Sequence, residues 1–196
     1  MKLAFATNNR KKSKELKNIC EVYGFNVLDL NDLGINTEIE ESGSTFYENA
    51  AMKARHLFGL TGVMSLGEDS GLEVKALDGK PGIYSARYAG QHGNDRENLS
   101  KLLADMLDID DRSARFKTVI ALCDGKKELF FEGVINGTIA KEALGNGGFG
   151  YDPVFIPDGF SIPFGEFTPE EKNKISHRAR AVEKLAEYLK STMHPR

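Results

Sequence analysis

Several features that would assign a class at a glance are missing from this sequence. No apolar stretch is long enough to span a membrane, and nothing at the start reads as a signal peptide. A membrane protein and an exported one are therefore not expected. Cysteine is scarce: Cys20 and Cys123 lie far apart in apolar patterns, without metal-ligand spacing. They read as core thiols in a reducing compartment, which points to the cytoplasm. An excess of positive charge is also missing, since 26 Lys and Arg against 29 Asp and Glu leave a net charge of −3. A general binder of polymeric nucleic acid is thereby excluded, and any polyanion must be held by a local cluster of cations. There is no internal repeat and no low-complexity segment. The glycines and the Gly-Lys-Ser/Thr ending of a P-loop are absent, as is a Rossmann fingerprint. No Asp-x-Asp nucleophile follows the first apolar run, which argues against a haloacid-dehalogenase-type phosphatase.

What is present suits a folded enzyme. The chain has 196 residues, 40% hydrophobic and 28% charged, enough for one domain over residues 1–196 built as two lobes. Its most informative stretch is Gly67-Glu68-Asp69-Ser70-Gly71-Leu72-Glu73-Val74, reached through the apolar run Val63 to Leu66. The pattern predicts a buried strand ending in a sharp turn, with Asp69 and Ser70 at its end. Carboxylates there need a partner, because burying an unpaired charge is costly. A divalent metal or a positioned water is the functional answer. A turn in which Asp and Ser bond their own backbone is the plain structural one.

Upstream, Leu3 to Ala6 reads as a central strand. Thr7-Asn8-Asn9-Arg10-Lys11-Lys12 follows and opens a helix with Leu16, Ile19, Cys20 and Tyr23 on one face, stopped by Gly24. A strand, a polar loop and a helix start form a common phosphate site, since first-turn amides and the helix dipole favour an anion. The same residues also fit an N-cap followed by a solvated basic face. Phe25 to Leu30 predicts a second strand, and Glu38 to Gly43 an acidic loop. Thr45-Phe46-Tyr47-Glu48 is a capping box whose helix turns Phe46, Ala50, Ala54, Leu57 and Phe58 inward and puts Asn49 and Lys53 on one face.

Downstream, the segment Pro81 to Gly90 carries Tyr84, Arg87 and Tyr88 between small residues and suits a shaped or subunit-contact surface. Asn94 or Asp95 caps a helix with Leu99, Leu102, Leu103, Met106 and Leu107 inward. Two β-patterned segments, 115–123 and 128–140, flank the turn Asp124-Gly125-Lys126-Lys127. The glycine-rich loop from Gly145 to Pro153 offers the faces of Phe149 and Tyr151 to a base. Val154 to Pro157 is a further strand. Thr168-Pro169-Glu170-Glu171 is a second capping box, followed by Lys172, Ser176, His177 and Arg178 and a last helix with Val182, Leu185, Ala186 and Leu189 inward. Interleaved strands and helices with a hairpin in the middle predict an α/β fold with a mixed sheet, two lobes and a cleft between them.

Carboxylates at 40, 41, 68 and 69, lysines beside a helix start, and a glycine-aromatic loop are together consistent with nucleotide phosphate chemistry. Spacing alone does not fix the reaction. Six segments in order are more specific: Ala6 to Asn9 with Lys12; Thr45-Phe46 with Glu48 to Ala50, Lys53 and Ala54; Glu68 to Leu72; Pro81 to Arg87; Gly147 to Pro153; and Ser176 to Arg178. Over nearly the whole chain this order resembles the inosine triphosphate pyrophosphatase family, the XTP/dITP diphosphatases. The resemblance implies hydrolysis of ITP, dITP or XTP to the monophosphate and pyrophosphate with Mg²⁺, by a homodimer with an elongated mixed sheet. It implies that Asp69 is the catalytic acidic residue and a metal ligand, and that Glu40 is the second metal ligand. It places Thr7, Asn8, Asn9, Arg10, Lys11, Lys12 and Lys53 on the phosphates and Ser70 on the substrate. Phe149, Gly150, Tyr151, Asp152, Lys172, His177 and Arg178 fall to the nucleoside. Asn8 stands where relatives often have Gly, and Glu68 where many have Asp. The rival readings are a pyrophosphatase for pyrimidine or modified nucleotides and a nucleotide-binding protein without turnover, contacting partners through Tyr84 to Tyr88.

Overall fold

A computed structural model describes residues 1–193. Its strands are β1 (Lys2–Phe5), β2 (Asn26–Asp29), β3 (Ser65–Val74), β4 (Ser113–Cys123), β5 (Glu128–Ile139) and β6 (Phe155–Pro157). They form one sheet in the order β2-β1-β3-β4-β5-β6. β1 runs parallel to β2, with Leu3 opposite Val27, and parallel to β3, with Phe5 opposite Leu66. β5 and β6 are antiparallel, with Thr138 opposite Ile156. The sheet is therefore mixed, as the interleaved pattern predicts. β1 is apolar without alternation because it has a parallel neighbour on each side and is buried from Leu3 to Phe5.

The helices are α1 (Arg10–Val22), α2 (Phe46–Thr61), α3 (Asp95–Asp105), α4 (Pro169–Ile175) and α5 (His177–Met193). Both predicted capping boxes form, Thr45 with Glu48 on α2 and Thr168 with Glu171 on α4. Asn94 caps α3 by accepting from the Glu97 amide. That helix stops at Asp105, so Leu107, expected to point inward, lies beyond its end and is exposed.

The chain forms two compact units. The first comprises Met1–Asp69, Thr118–Gly133 and the residues from His177 onward. Its core includes Leu3, Phe5, Leu16, Leu66, Val182 and Leu185. The second comprises Ser70–Lys117 and Val134–Ser176, with a core that includes Leu72, Leu102, Met106, Ile135, Phe155 and Phe164. Both cysteines are buried free thiols, and burial pushes Cys20 up to about 12.

The stretch Gly67 to Gly71 corrects the expectation of a sharp turn. It is the middle of β3, a single strand of ten residues. A Cβ on Gly67 would lie 2.0 Å from the Ala50 carbonyl oxygen and 2.5 Å from the Ala54 nitrogen, so this glycine lets α2 lie directly on the strand. Gly71 plays the same part in the second unit, where a Cβ would meet the Gly82 carbonyl oxygen at 2.2 Å. Turn-like composition here reflects close backbone packing.

Candidate active site

In the first unit the site is built on β3, α1, α2 and α5. Glu68 and Asp69 are both buried. Arg178, wholly buried at 0% exposure, answers Glu68 with a bidentate pair: Nε donates to Oε2 at 3.0 Å and Nη2 to Oε1 at 2.6 Å. Its Nη1 lies 2.7 Å from the Glu15 carboxylate. Glu68 is thus engaged by an arginine, and Lys12 stands 3.9 Å from the same carboxylate. Buried charges of this kind persist only when paired and hydrogen-bonded.

Asp69 is held differently. Asn49 Nδ2 donates to its Oδ2 at 3.0 Å, and Lys53 Nζ lies 3.9 Å from its Oδ1. Lys53 also donates to the Glu68 carbonyl at 3.0 Å and pairs with Glu41 at 2.8 Å. Burial raises the Asp69 carboxyl above its ordinary value, opposed by the charges of Lys53 and Lys12 and by the Asn49 hydrogen bond. Burial also lowers Lys12, with Glu68 pulling the other way. A carboxylate made more basic by desolvation, yet kept among cations, is equipped to take a proton from water.

The predicted phosphate loop leads into α1 as expected, but its donors are partly spent. Asn9 is the N-cap, and its side chain accepts from the amides of Lys11 at 3.0 Å and Lys12 at 3.1 Å. The N-cap of the two readings is therefore present: an Asn side chain reaches these amides. Thr7 Oγ1 accepts the Asn9 amide, and Arg10 and Lys11 are exposed. Asn8 Nδ2 donates to the Thr37 carbonyl at 2.9 Å, which ties this loop to the acidic one. On the acidic loop Glu40 is exposed, and it is Glu41 that contacts Lys53.

The second unit gathers a different set. Asp152 Oδ2 accepts the Phe149 amide at 2.8 Å and Lys172 Nζ at 2.6 Å. The same ammonium sits 4.6 Å from the centre of the Phe149 ring. The capping box of α4 fixes the backbone turn from which Lys172 projects. Gly150 donates its amide to Asp95 at 3.1 Å. Tyr151 does not offer a face for stacking: it is 4% exposed, part of the second core, and its hydroxyl donates to the Ser85 carbonyl at 2.8 Å. Phe149, by contrast, is half-buried. Ser70, also half-buried, follows Asp69 directly. His177 and Arg178 belong to the first unit, at the start of α5.

Two residues that shape the site were not singled out for it by sequence reasoning. Glu15 lies three residues after Lys12 and four before Ile19, on the inward stripe of α1, where a carboxylate implies a buried cation. Asn49 falls among Phe46, Ala50 and Lys53 on the buried side of α2. A polar residue on an apolar stripe was the available signal in both.

Buried carboxylates on β3, faced by Lys12 of α1 and Lys53 of α2, mark an α/β protein with a charged site built on its mixed sheet. The particular kind follows from its relatives. The sequence model of the Ham1 family matches residues 3–188. A dITP/XTP pyrophosphatase of Christiangramia forsetii is 47% identical over 96% of this chain and 99% of its own length. One from Porphyromonas gingivalis is 47% identical over 96% and 97%. The solved structure of the Staphylococcus aureus Ham1 protein superposes with a TM-score of 0.87 at 36% identity, covering 98% of this chain and all of that one. The chain belongs to the Ham1 family, in agreement with the order of its motifs.

Proposed function

We propose that the chain is a nucleoside triphosphate pyrophosphatase that hydrolyses ITP, dITP and XTP to the monophosphate and pyrophosphate, removing non-standard purines from the nucleotide pool. The observation that carries this reading is Asp69: a buried carboxylate raised by desolvation, steadied by Asn49 and faced by Lys53. Relatives named dITP/XTP pyrophosphatase at 47% identity support the substrate class. A pure nucleotide binder has no evident use for a base of this kind.

In the reaction, Asp69 accepts a proton from water as the water oxygen bonds to the α-phosphorus. The bond from that phosphorus to the bridging oxygen breaks, and pyrophosphate leaves with the electron pair. Lys12 and Lys53, with the α1 N-terminus and the Thr7 to Lys11 loop, bear on the triphosphate charge. Asp69 and Glu40 are the proposed Mg²⁺ ligands. Among the described residues no group of three or more His, Cys, Asp or Glu side chains forms a cage for a metal. The carboxylate oxygens of Asp69 and Glu40 are the hard donors that Mg²⁺ takes, alongside substrate phosphates. When bound, Mg²⁺ supplies charge neutralisation on the triphosphate and on the leaving group.

For the nucleoside we assign Phe149 as the stacking face and Lys172, fixed by Asp152, as a donor toward a 6-oxo group. Ser70, Gly150, Tyr151 and His177 complete the substrate set by family likeness, and Arg178 acts behind them through Glu68, which it holds by a bidentate pair. Adenine presents a 6-amino group at the same edge, and the mismatch costs about 1–3 kcal/mol. A homodimer working in the cytoplasm completes the reading. No described helix is long and apolar enough to cross a membrane.

The test is product analysis with Mg²⁺ on ITP, XTP, ATP, GTP and dTTP separately. Pyrophosphate and monophosphate from ITP and XTP, with little from the others, is the expected result. Orthophosphate and diphosphate would move attack to the γ-phosphorus and overturn the reading. A preference for dTTP would favour the pyrimidine alternative, and binding without turnover the non-enzymatic one.

A further inference from the structure

Asn49 lies on the inward side of α2 and is 1% exposed. An amide buried so deeply must use both its donor and its acceptor. Its Nδ2 donates to Asp69 Oδ2 at 3.0 Å, and its Oδ1 accepts the backbone N–H of Gly43 at 2.9 Å. Partners fix which end is which, since a flipped amide would set oxygen against carboxylate and N–H against N–H. One side chain therefore holds the proposed base and also the end of the loop that carries Glu40 and Glu41.

The fit around it is tight. A Cβ on Gly43 would lie 2.6 Å from Asn49 Oδ1 and 2.7 Å from Glu48 Cβ. The Thr45–Glu48 capping box fixes the first turn of α2 immediately before Asn49. Lys53, one turn further along, adds a second tie to the same loop through Glu41 at 2.8 Å.

From this geometry we propose that Asn49 is a positioning residue for the hydrolytic step. It sets the Asp69 carboxylate and couples its orientation to closure of the acidic loop at Gly43. The proposal rests on the reading of Asp69 as the base.

The test compares Asn49→Ala, Asn49→Asp and Gly43→Ala with the parent protein, and uses Asp69→Asn as control. ITP turnover is measured with saturating Mg²⁺, alongside amide hydrogen exchange at Gly43 and thermal melting without nucleotide. Asn49→Ala is expected to lower kcat about 10–100-fold, the scale of a misplaced catalytic group, with KM changed less than about threefold. Asn49→Asp keeps an acceptor for the Gly43 amide but replaces the donor to Asp69 with a like charge. It is expected to lose kcat as the alanine variant does while the Gly43 amide stays protected. In Asn49→Ala that amide exchanges fast. Gly43→Ala displaces the Asn49 amide from the other side and is expected to reproduce the kcat loss. Parent-like kcat per folded molecule in Asn49→Ala or Asn49→Asp, with only the melting temperature lowered, would overturn the proposal. The control separates the two readings. An active Asp69→Asn protein defeats the assignment of the base. An inactive one beside a fully active Asn49→Ala defeats the positioning role alone.

Discussion

Individual residues divide here by whether a burial pattern could announce their partners. Arg178 was legible as a donor near a helix start, but not as the cation between Glu15 and Glu68, which are 163 and 110 positions away in sequence. No local pattern carries a contact of that range. The structure turns it into a stability prediction. Removing one partner of a buried ion pair leaves the other charges uncompensated, at a cost of about 3–5 kcal/mol. Arg178→Ala removes the cation that two buried carboxylates, Glu15 and Glu68, share. Urea unfolding of Arg178→Ala should show an unfolding free energy lowered by that amount, seen as an earlier midpoint with an unchanged slope. A loss below about 1 kcal/mol would mean that water reaches the carboxylates and that the arginine is free to serve the nucleoside directly. Asn49 and Lys53 show the converse. Their shared face was readable from a spacing of four, and only the carboxylates they meet were not.

At the scale of elements, signals that act within a few residues were legible. Capping boxes at Thr45 and Thr168 and the turn at Asp124 to Lys127 depend on a side chain reaching its neighbours' amides, so sequence alone places them. β3 was misread as a strand ending in a turn because glycine has two uses, positive φ and close approach, and composition does not separate them. The distinction can be measured by a pair of substitutions. Gly67→Ala places a methyl against the backbone of α2, with contacts of 2.0 Å and 2.5 Å that no side-chain rotation relieves. A loss at or beyond the upper end of the usual 1–3 kcal/mol for overpacking is expected. Gly59→Ala, on the exposed side of the same helix with no atom within 4 Å of the added carbon, should instead gain up to about 1 kcal/mol. Thermal melting of the two variants checks both signs. If Gly67→Ala melts with the parent, β3 and α2 are not in backbone contact.

For the molecule as a whole, the open question is what covers the segment around Tyr84. In the second unit this segment is not loose. The Leu72 amide donates to Ser85 Oγ at 2.9 Å, Ser85 Oγ donates to the Gly82 carbonyl at 2.6 Å, and the Tyr151 hydroxyl reaches the Ser85 carbonyl. Such a frame presents Tyr84 in one geometry, 54% exposed, with the Arg87 guanidinium 5.2 Å from its ring centre. Tyr and Arg dominate the central contacts of protein interfaces, and a rigid presenting loop loses little entropy on association. The family resemblance implies a homodimer, and the composition of this segment suits a subunit contact, so the two are tested together. Sedimentation equilibrium should therefore give about twice the 21.6 kDa of one chain, and Tyr84→Asp combined with Arg87→Glu should halve it. A double variant that stays dimeric moves the interface to another face. A parent protein that sediments as one chain removes the dimer from the proposed function, while Asp69 keeps its hydrogen bond from Asn49 and its neighbour Lys53 within the same chain.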